Sequence, residues 1–512
     1  MALLDLLETH RRPVAVASVV LILFFVSSFL QRRWRQYQFA KANGCEPIKG
    51  KLPSYDPLFS IDRTIRLIKL AKEHKLLENG VLRFKELGNT HRGKRGLSPI
   101  IITIEPQNVK TILSLKFADY SMGDRITTFG PLLGHGIFTS DGEDWVRSRQ
   151  MVRPNFVKEQ VAHLEVFEDL MDDLFALIPT DGSTVDLQDL FFGFTIDSAT
   201  EFLCGHSVHS LKKRRSQVAD NERNFAKAFD YAQDNIGRNM RYGPLMFLNR
   251  DPKAVEARRV CREMVDQFVD KAMIAREKYD EEKASDETAE RRYMFLYGLA
   301  RQTGDRTRIR DELMNILLAG RDTTASLLGG LFFLLAKTPE VWAKLQEEIA
   351  SLQGRAPTYD QLREMKYVKY CLNETLRLLP VVPLNSRTAI KDTILPVGGG
   401  ADGRSPVFVS KGTIVGYSVY AMHRRQDFYG PDAEEFRPER WAGLRPGWEY
   451  LPFNGGPRIC VGQQYALTEA AYVTTRLAQR YSILESRDPE PWVEKLALTA
   501  CSFHGTKVSL RH

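Results

Sequence analysis

Residues 452–466 read PFNGGPRICVGQQYA, and a helical pattern, QQYALTEAAYVTTRLAQRY, runs on from Gln463 to Tyr481. A cysteine that only fills a core needs no such framing. One that presents a thiolate to a flat, bulky ligand does. Next to a helix N-terminus, Cys460 gains from unpaired backbone N–H groups and the positive end of the dipole, which favour thiolate over thiol. Gly455 and Gly456 let the chain turn tightly and approach a planar group without Cβ clashes. Phe453 can shield the sulfur from water, and Arg458 can meet an acidic group on the same ligand.

The rest of the chain bounds the possibilities. Its 512 residues are 43% hydrophobic and 27% charged, enough for a large domain with a deep site. A formal charge of +8 suits an acidic partner or an anionic membrane surface. No basic stripe interleaves with aromatics, which argues against nucleic acid; Lys212-Lys213-Arg214-Arg215 reads as a solvated loop. Cysteines 45, 204, 261, 371, 460 and 501 include no CxxC pair and no His/Cys metal spacing. That argues against a disulfide framework and structural zinc, and fits a reducing compartment.

Val14–Leu30 is uncharged and long enough to cross most of a bilayer. It ends in QRRWRQ without a small-residue cleavage pattern, so it reads as an anchor and not a signal peptide. Arg32, Arg33 and Arg35 against Arg11 and Arg12 place the body on the cytosolic side, with Trp34 at the interface. The division expected is an anchor over 1–36, a Pro/Gly linker over 37–60 and a body over 61–512. Within the body, VLRFKELG (81–88) and PIIITIEP (99–106) read as strands, 143–278 as mostly helical, and 280–292 as an exposed polar loop. Residues 308–335 predict one long apolar helix. Arg321 and Asp322 at its middle exclude a second membrane span. Gly398-x-Gly400-x-x-Gly403 matches a dinucleotide fingerprint, but the strand-like RSPVFVS that follows makes it a hairpin turn. Asn373-Glu374-Thr375, a glycosylation sequon, lies inside a helical pattern. The fold class is mainly α with a small β region.

The spacing Phe453-x-x-Gly456-x-Arg458-x-Cys460-x-Gly462 resembles the haem-binding loop of the cytochromes P-450. The resemblance implies haem b with Cys460 as its axial iron ligand and Phe453, Gly456, Arg458 and Gly462 around it. Other motifs agree with it. AGRDTT (319–324) resembles the family's oxygen-activating segment, with Gly320 leaving room and Asp322 and Thr323 as an acid–alcohol pair that relays protons. Glu374 and Arg377, one helical turn apart, join Arg440 of FRPERW to resemble the Glu-Arg-Arg triad that fixes the approach to the cysteine loop. Trp145-x-x-x-Arg149, with Arg387, stands where the family holds the haem propionates.

The resemblance further implies a P-450 fold behind one transmembrane helix, and a monooxygenase. The chain has no flavin or nicotinamide site of its own, so electrons come from NADPH through cytochrome P-450 reductase. Arg147 and Arg153 suit the acidic docking face of that partner. Membrane lipid is the other partner, and the location implied is the endoplasmic reticulum membrane, single-pass, body in the cytosol. Stretches such as LMNILLAGRDTTASLL resemble the fungal branch that hydroxylates n-alkanes and fatty acids at or near the chain end, so the expected substrate is lipophilic. Phe129, Leu132, Leu133, Leu318, Val382, Leu384 and Ala500 are its candidate pocket. The alternative is a monooxygenase of fungal specialised metabolism acting on a terpenoid or polyketide-like substrate. A hydroperoxide-rearranging enzyme would typically lack Thr323, and a non-catalytic haem protein would need neither Asp322 nor Thr323.

Overall fold

The computed structural model describes residues 2–512 apart from 57, 158–161, 163, 217–220 and 283–294. Helix α1 (Ala2–Ala42) carries the apolar stretch; residues 17–42, with mean hydropathy 1.3, are long and apolar enough to cross a membrane. The helix does not stop at residue 36. Its last turns dock on the body: Gln36 Nε2 donates to Asp392 Oδ2 (3.2 Å), and Phe39 packs edge-on against Phe408, ring centroids 6.0 Å apart. The expected linker therefore holds the end of a helix and a short strand, β1 (Gly50–Lys51).

Helices α2 (Ile61–Lys72) and α3 (Leu76–Leu87) follow. The strand expected over 81–88 is a correction, because it is the second half of α3. Leu77, Val81 and Phe84 recur at helical spacing and face the core, a period visible only when the residues before Val81 are included. The β region comprises β2 (Thr90–Arg95), β3 (Ser98–Thr103), β4 (Tyr120–Ser121), β5 (Val185–Asp186), β6 (Leu384–Ala389) and β7 (Thr393–Gly399). It continues with β8 (Ser405–Val409), β9 (Ile414–Ser418), β10 (Ile483–Ser486), β11 (Glu494–Leu496), β12 (Ala500–Ser502) and β13 (Lys507–Arg511). The largest sheet has the order β1-β2-β3-β9-β6-β4. Strands β7 and β8 form the expected hairpin, and Gly398, Gly400 and Gly403 take positive φ there.

The helical part is built from α4 (Arg125–Leu133), α5 (Gly142–Val152), α6 (Glu165–Phe175), α7 (Leu187–Cys204), α8 (Asn221–Tyr242) and α9 (Pro252–Glu282). It is completed by α10 (Arg306–Leu335), α11 (Lys366–Leu378) and α12 (Gln463–Arg480), together with further helices such as Phe295–Gln302 and Pro339–Ile349. Residues 280–282, expected in a loop, end α9; the remainder of that segment lies outside the described residues. Lys212 and Arg214 lie on a short helix, Ser210–Ser216, and pair with Asp173 and Asp189, so the basic run is not a free loop. The sequon residue Asn373 lies inside α11. All six cysteines are free.

Helix α10 organises the core. Asp305 caps it by accepting from Arg308 N (3.1 Å), and its apolar residues are buried on nearly every side. Ile309–Leu318 pack with α4, α8 and α9 in one apolar cluster. Ala325–Leu335 pack with α6, α7, α11 and α12 in another. Residues 319–324 mark the junction between the two clusters, so the polar AGRDTT segment falls where apolar packing changes partner. A third cluster lies on the sheet.

Candidate functional site

The cysteine loop is shaped by close approach. Gly456 has φ +70°, and a Cβ there would stand 1.9 Å from the Leu113 carbonyl oxygen, so no other residue fits. Cys460 N donates to Phe453 O (3.0 Å) and closes the loop, and α12 starts three residues later. Phe453 packs on the α7/α12 cluster. Tyr417 OH donates to Asn454 Oδ1 (2.9 Å), tying the loop to β9. Cys460 is solvent-accessible, between the exposed Ile459 and the start of α12. Burial raises its thiol pKa, and the Gly462 N–H and Arg149 pull it back.

The triad comes together in full. Arg377 Nε and Nη2 donate to Glu374 Oε2 and Oε1 (2.9 Å each), and Arg440 Nε reaches Oε1 at 2.7 Å. Trp441 Nε1 (2.9 Å) and Arg437 N (3.1 Å) donate to the same carboxylate. Glu374 and Arg377 are wholly buried, so the ionic groups are held by donors on all sides. Arg377 Nη1 also binds the carbonyls of His423 (2.9 Å) and Ala433 (2.6 Å).

His423 passes this order on to the cysteine loop. Leu451 N donates to its Nε2 (2.9 Å), so Nδ1 carries the proton and donates to Arg377 O (3.2 Å). Burial, then Arg377, pushes its pKa from 6.5 down to about 3. The unfolded chain therefore binds the extra proton first. His423 contributes stability that is complete above pH 6.5 and is lost as pH falls towards 3. The stability difference between wild type and His423→Gln, measured by denaturant titration at several pH values, is expected to shrink over that range. A difference independent of pH would contradict the assignment.

A cluster of cations lies near the loop. Arg458 donates to Ser140 O (2.8 Å) and Asp141 Oδ1 (2.7 Å), and its guanidinium sits 4.5 Å from the centre of the buried Trp145 ring. Arg149 donates to Ile459 O (3.0 Å) and lies 5.9 Å from the same ring. Arg387 is buried; Nη1 reaches Ser386 O (2.8 Å), while Nε has no partner among the described residues. Arg125, which sequence reasoning missed, joins them by donating to Asn385 Oδ1 (2.9 Å). Burial, then Arg387, pushes Arg125 down to about 9, and burial, opposed by Asp141, pushes Arg458 down to about 10. The acidic neighbour common to Arg125 and Arg458 is Asp141. Enclosed guanidiniums with so little negative charge suit a dianionic ligand. The two propionates of a haem, together with a reachable thiol, fit that demand.

On α10, Thr323 Oγ1 donates to Ala319 O (2.7 Å). Asp322 instead accepts from Arg321 Nη1 (3.2 Å), which also pairs with Asp230 of α8. Burial raises Asp322 to about 6 against the pull of Arg321. The expected acid and alcohol are thus not hydrogen-bonded to one another, because successive helical residues point roughly 100° apart. Gly320 faces Ala199 of α7, and even a Cβ there would make only ordinary contact, at 3.5 Å. Glu469 of α12, also missed, is fully buried, accepts from Ser198 Oγ and has Thr324 beside it. Burial holds its carboxyl up to about 7.

Before α10 reaches that segment, three of its polar side chains hold the α4–α5 loop. Asp311, Glu312 and Asn315 accept from the backbone N–H of His135 (2.8 Å), Ile137 (3.3 Å) and Phe138 (3.1 Å). Asn315 Nδ2 also donates to Leu133 O (2.9 Å). That loop supplies the carbonyl and carboxylate partners of Arg458. The polar residues in LMNILLAG and just before it were the available signal. By burial the candidate pocket residues divide. Phe129, Leu132, Leu133 and Leu318 lie inside an apolar cluster and Ala500 is buried in β12, whereas Val382 (37%) and Leu384 (45%) are exposed.

This fold belongs to a known class. Residues 62–503 match the family cytochrome P450, and the chain belongs to it. It is 51% identical to cytochrome P450 monooxygenase himC of Aspergillus japonicus, over 97% of this chain and 88% of that one. Identity to cytochrome P450 monooxygenase fsdH of Fusarium heterosporum is 46%, over 97% and 88% of the two chains. Cytochrome P450 52A13 of Debaryomyces hansenii is 42% identical over 99% of each. The chain is a P450 monooxygenase, and membership implies a thiolate-ligated haem iron.

Proposed function

We propose that Cys460 is the axial ligand of haem b and that the enzyme hydroxylates a long-chain alkane or fatty acid at or near the chain end. The observation that carries the haem assignment is an accessible thiol in a tightly turned loop near enclosed, under-paired guanidiniums. Thiolate-bound haem would supply reductive activation of O2, with one oxygen atom entering the substrate and the other leaving as water, using two electrons and two protons. Arg125, Arg149, Arg387 and Arg458 hold the propionates, with Trp145 packed against Arg458. Phe453, Gly456 and Gly462 shape the loop. Glu374, Arg377 and Arg440 position its approach through His423. Asp322 and Thr323 hold and move protons beside Gly320.

Electrons arrive from NADPH through a separate reductase; Arg147 and Arg153, both exposed on and next to α5, suit its acidic face. The anchor lies within α1, residues 1–36, with 61–512 as the catalytic body on the cytosolic side of the endoplasmic reticulum. Helix α2 supports a membrane-facing side. It buries none of its residues and exposes Ile61 and Ile65, next to exposed Leu58 and Phe59.

A second reading, a terpenoid or polyketide-like substrate of specialised metabolism, is favoured by Asp230 and Gln233 beside Asp322, groups that suit polar substituents. Product analysis decides. The membrane enzyme is supplied with NADPH, a fungal reductase, a mid-length alkane and a long-chain fatty acid. Alcohols at or near the chain end support the first reading, and no product from an intact thiolate-haem protein favours the second.

A further inference from the structure

Between α4, α8 and the start of α9 runs a groove of about 600 Å³ whose chemistry the site above does not use. Its polar lining is a chain of side-chain amides leading to an arginine. Asn249 Nδ2 donates to Asn239 Oδ1 (2.6 Å), and Asn239 Nδ2 donates to Asn235 Oδ1 (3.3 Å). Arg258 Nη1 donates to the same Asn235 oxygen (3.3 Å). The two acids of the groove have their direct partners elsewhere, although Asp251 still acts on Arg258 through space. Asp251 binds Arg238 (3.1 Å) and Tyr231 OH (2.9 Å), and Glu256 binds Arg259 (2.5 Å). Among the described residues, Arg258 and the rim residue Arg250 pair with no carboxylate. Arg258 is half-buried; burial and nearby Arg262 work against its charge, and Asp251 partly offsets them.

The groove is apolar on its other side. Met246, Phe247 and Val255 line it, and Ile236 belongs to the same buried cluster as Phe129, Leu132 and Leu318. Along α8, Asn239 lies nine residues from Asp230, which pairs with Arg321 beside Gly320. At 1.5 Å per residue that is roughly 13 Å, the reach of a mid-length acyl chain.

We infer that this groove binds the carboxylate end of an acyl-chain substrate, with Arg258 as the specificity-determining residue and the chain pointing along α8 towards the middle of α10. The inference rests on the chain-end reading above and deepens it: the head is held far from the reacting end, so a fatty acid is preferred to an alkane. A carboxylate accepts from the free N–H groups of Arg258 in charge-assisted fashion, which an ester or hydrocarbon does not.

The test titrates the holoenzyme with dodecanoic acid, its methyl ester and dodecane, following the substrate-induced shift of the haem absorption band. Wild type is expected to bind the acid more tightly than the ester. Arg258→Ala is expected to weaken acid binding about tenfold and to leave ester and alkane within about twofold, with Arg258→Lys recovering part of the loss. Equal weakening of all three ligands would show a structural role and overturn the inference. So would an unchanged affinity for the acid, the result expected if these donors take a lipid phosphate instead. If ester and alkane bind and are hydroxylated while the acid gains nothing from Arg258, the inference fails and the chain-end reading stands. If none of the three binds, both fail.

Discussion

A Glu374→Gln chain is expected to lose about 3–5 kcal/mol of stability, the usual result of removing one partner from a buried ion pair. Against a typical total of roughly 5–15 kcal/mol, that is severe. Glu374 receives donors from Arg377 twice, from Arg440, from Trp441 and from the backbone of Arg437. A neutral amide leaves two guanidiniums enclosed with no counter-charge from this residue. The damage should extend beyond the triad, because Arg377 holds His423 and His423 holds Leu451, next to the cysteine loop. Haem content should therefore fall with the denaturation midpoint, while Glu374→Asp, which keeps the charge, recovers part of both. A Gln variant with wild-type midpoint and haem content would refute this account of the triad.

Thr323→Ala is expected to change the chemistry with the haem site intact. General acid–base steps contribute on the order of 10²–10⁴-fold, and losing one donor of a relay should lower product formed per NADPH consumed by about tenfold or more. The fold should hardly notice. Among the described residues Thr323 Oγ1 bonds only its own helix, at Ala319 O, and the surrounding packing of α10 does not depend on it. Electron consumption should continue, with reduced oxygen species replacing product, and Thr323→Ser should restore coupling. Unchanged coupling in the Ala variant would count against the relay.

The features legible in the sequence share a physical reason. Chemistry that needs particular side chains at fixed spacing leaves a local record, so the cysteine loop, the Glu374–Arg377 pair and Trp145–Arg149 could be found from residue order. The long α10 could be read because Arg321 and Asp322 are intolerable in a bilayer. Arg125 left no such record. Its place among Arg387 and Arg458 is created by the approach of α4 to β6, which no local pattern announces. Asn315 stood out as a polar residue in an apolar helix, but its partners lie on a loop some 180 residues earlier in the chain, so its role could not be read. The misreading of α3 came from framing: a window beginning at Val81 shows too few turns to reveal a helical period. Apolar residues near a pocket carry no mark separating lining from core, which is why the buried Leu132 and Leu133 and the exposed Val382 and Leu384 look alike in the sequence.

The central claim is that Cys460 supplies a thiolate to a haem. The most direct measurement is the absorption spectrum of the reduced carbon-monoxide complex for purified wild type and Cys460→Ser. The account predicts the red-shifted band of thiolate ligation in wild type and its loss in the serine variant. Survival of that band without the Cys460 sulfur would contradict it.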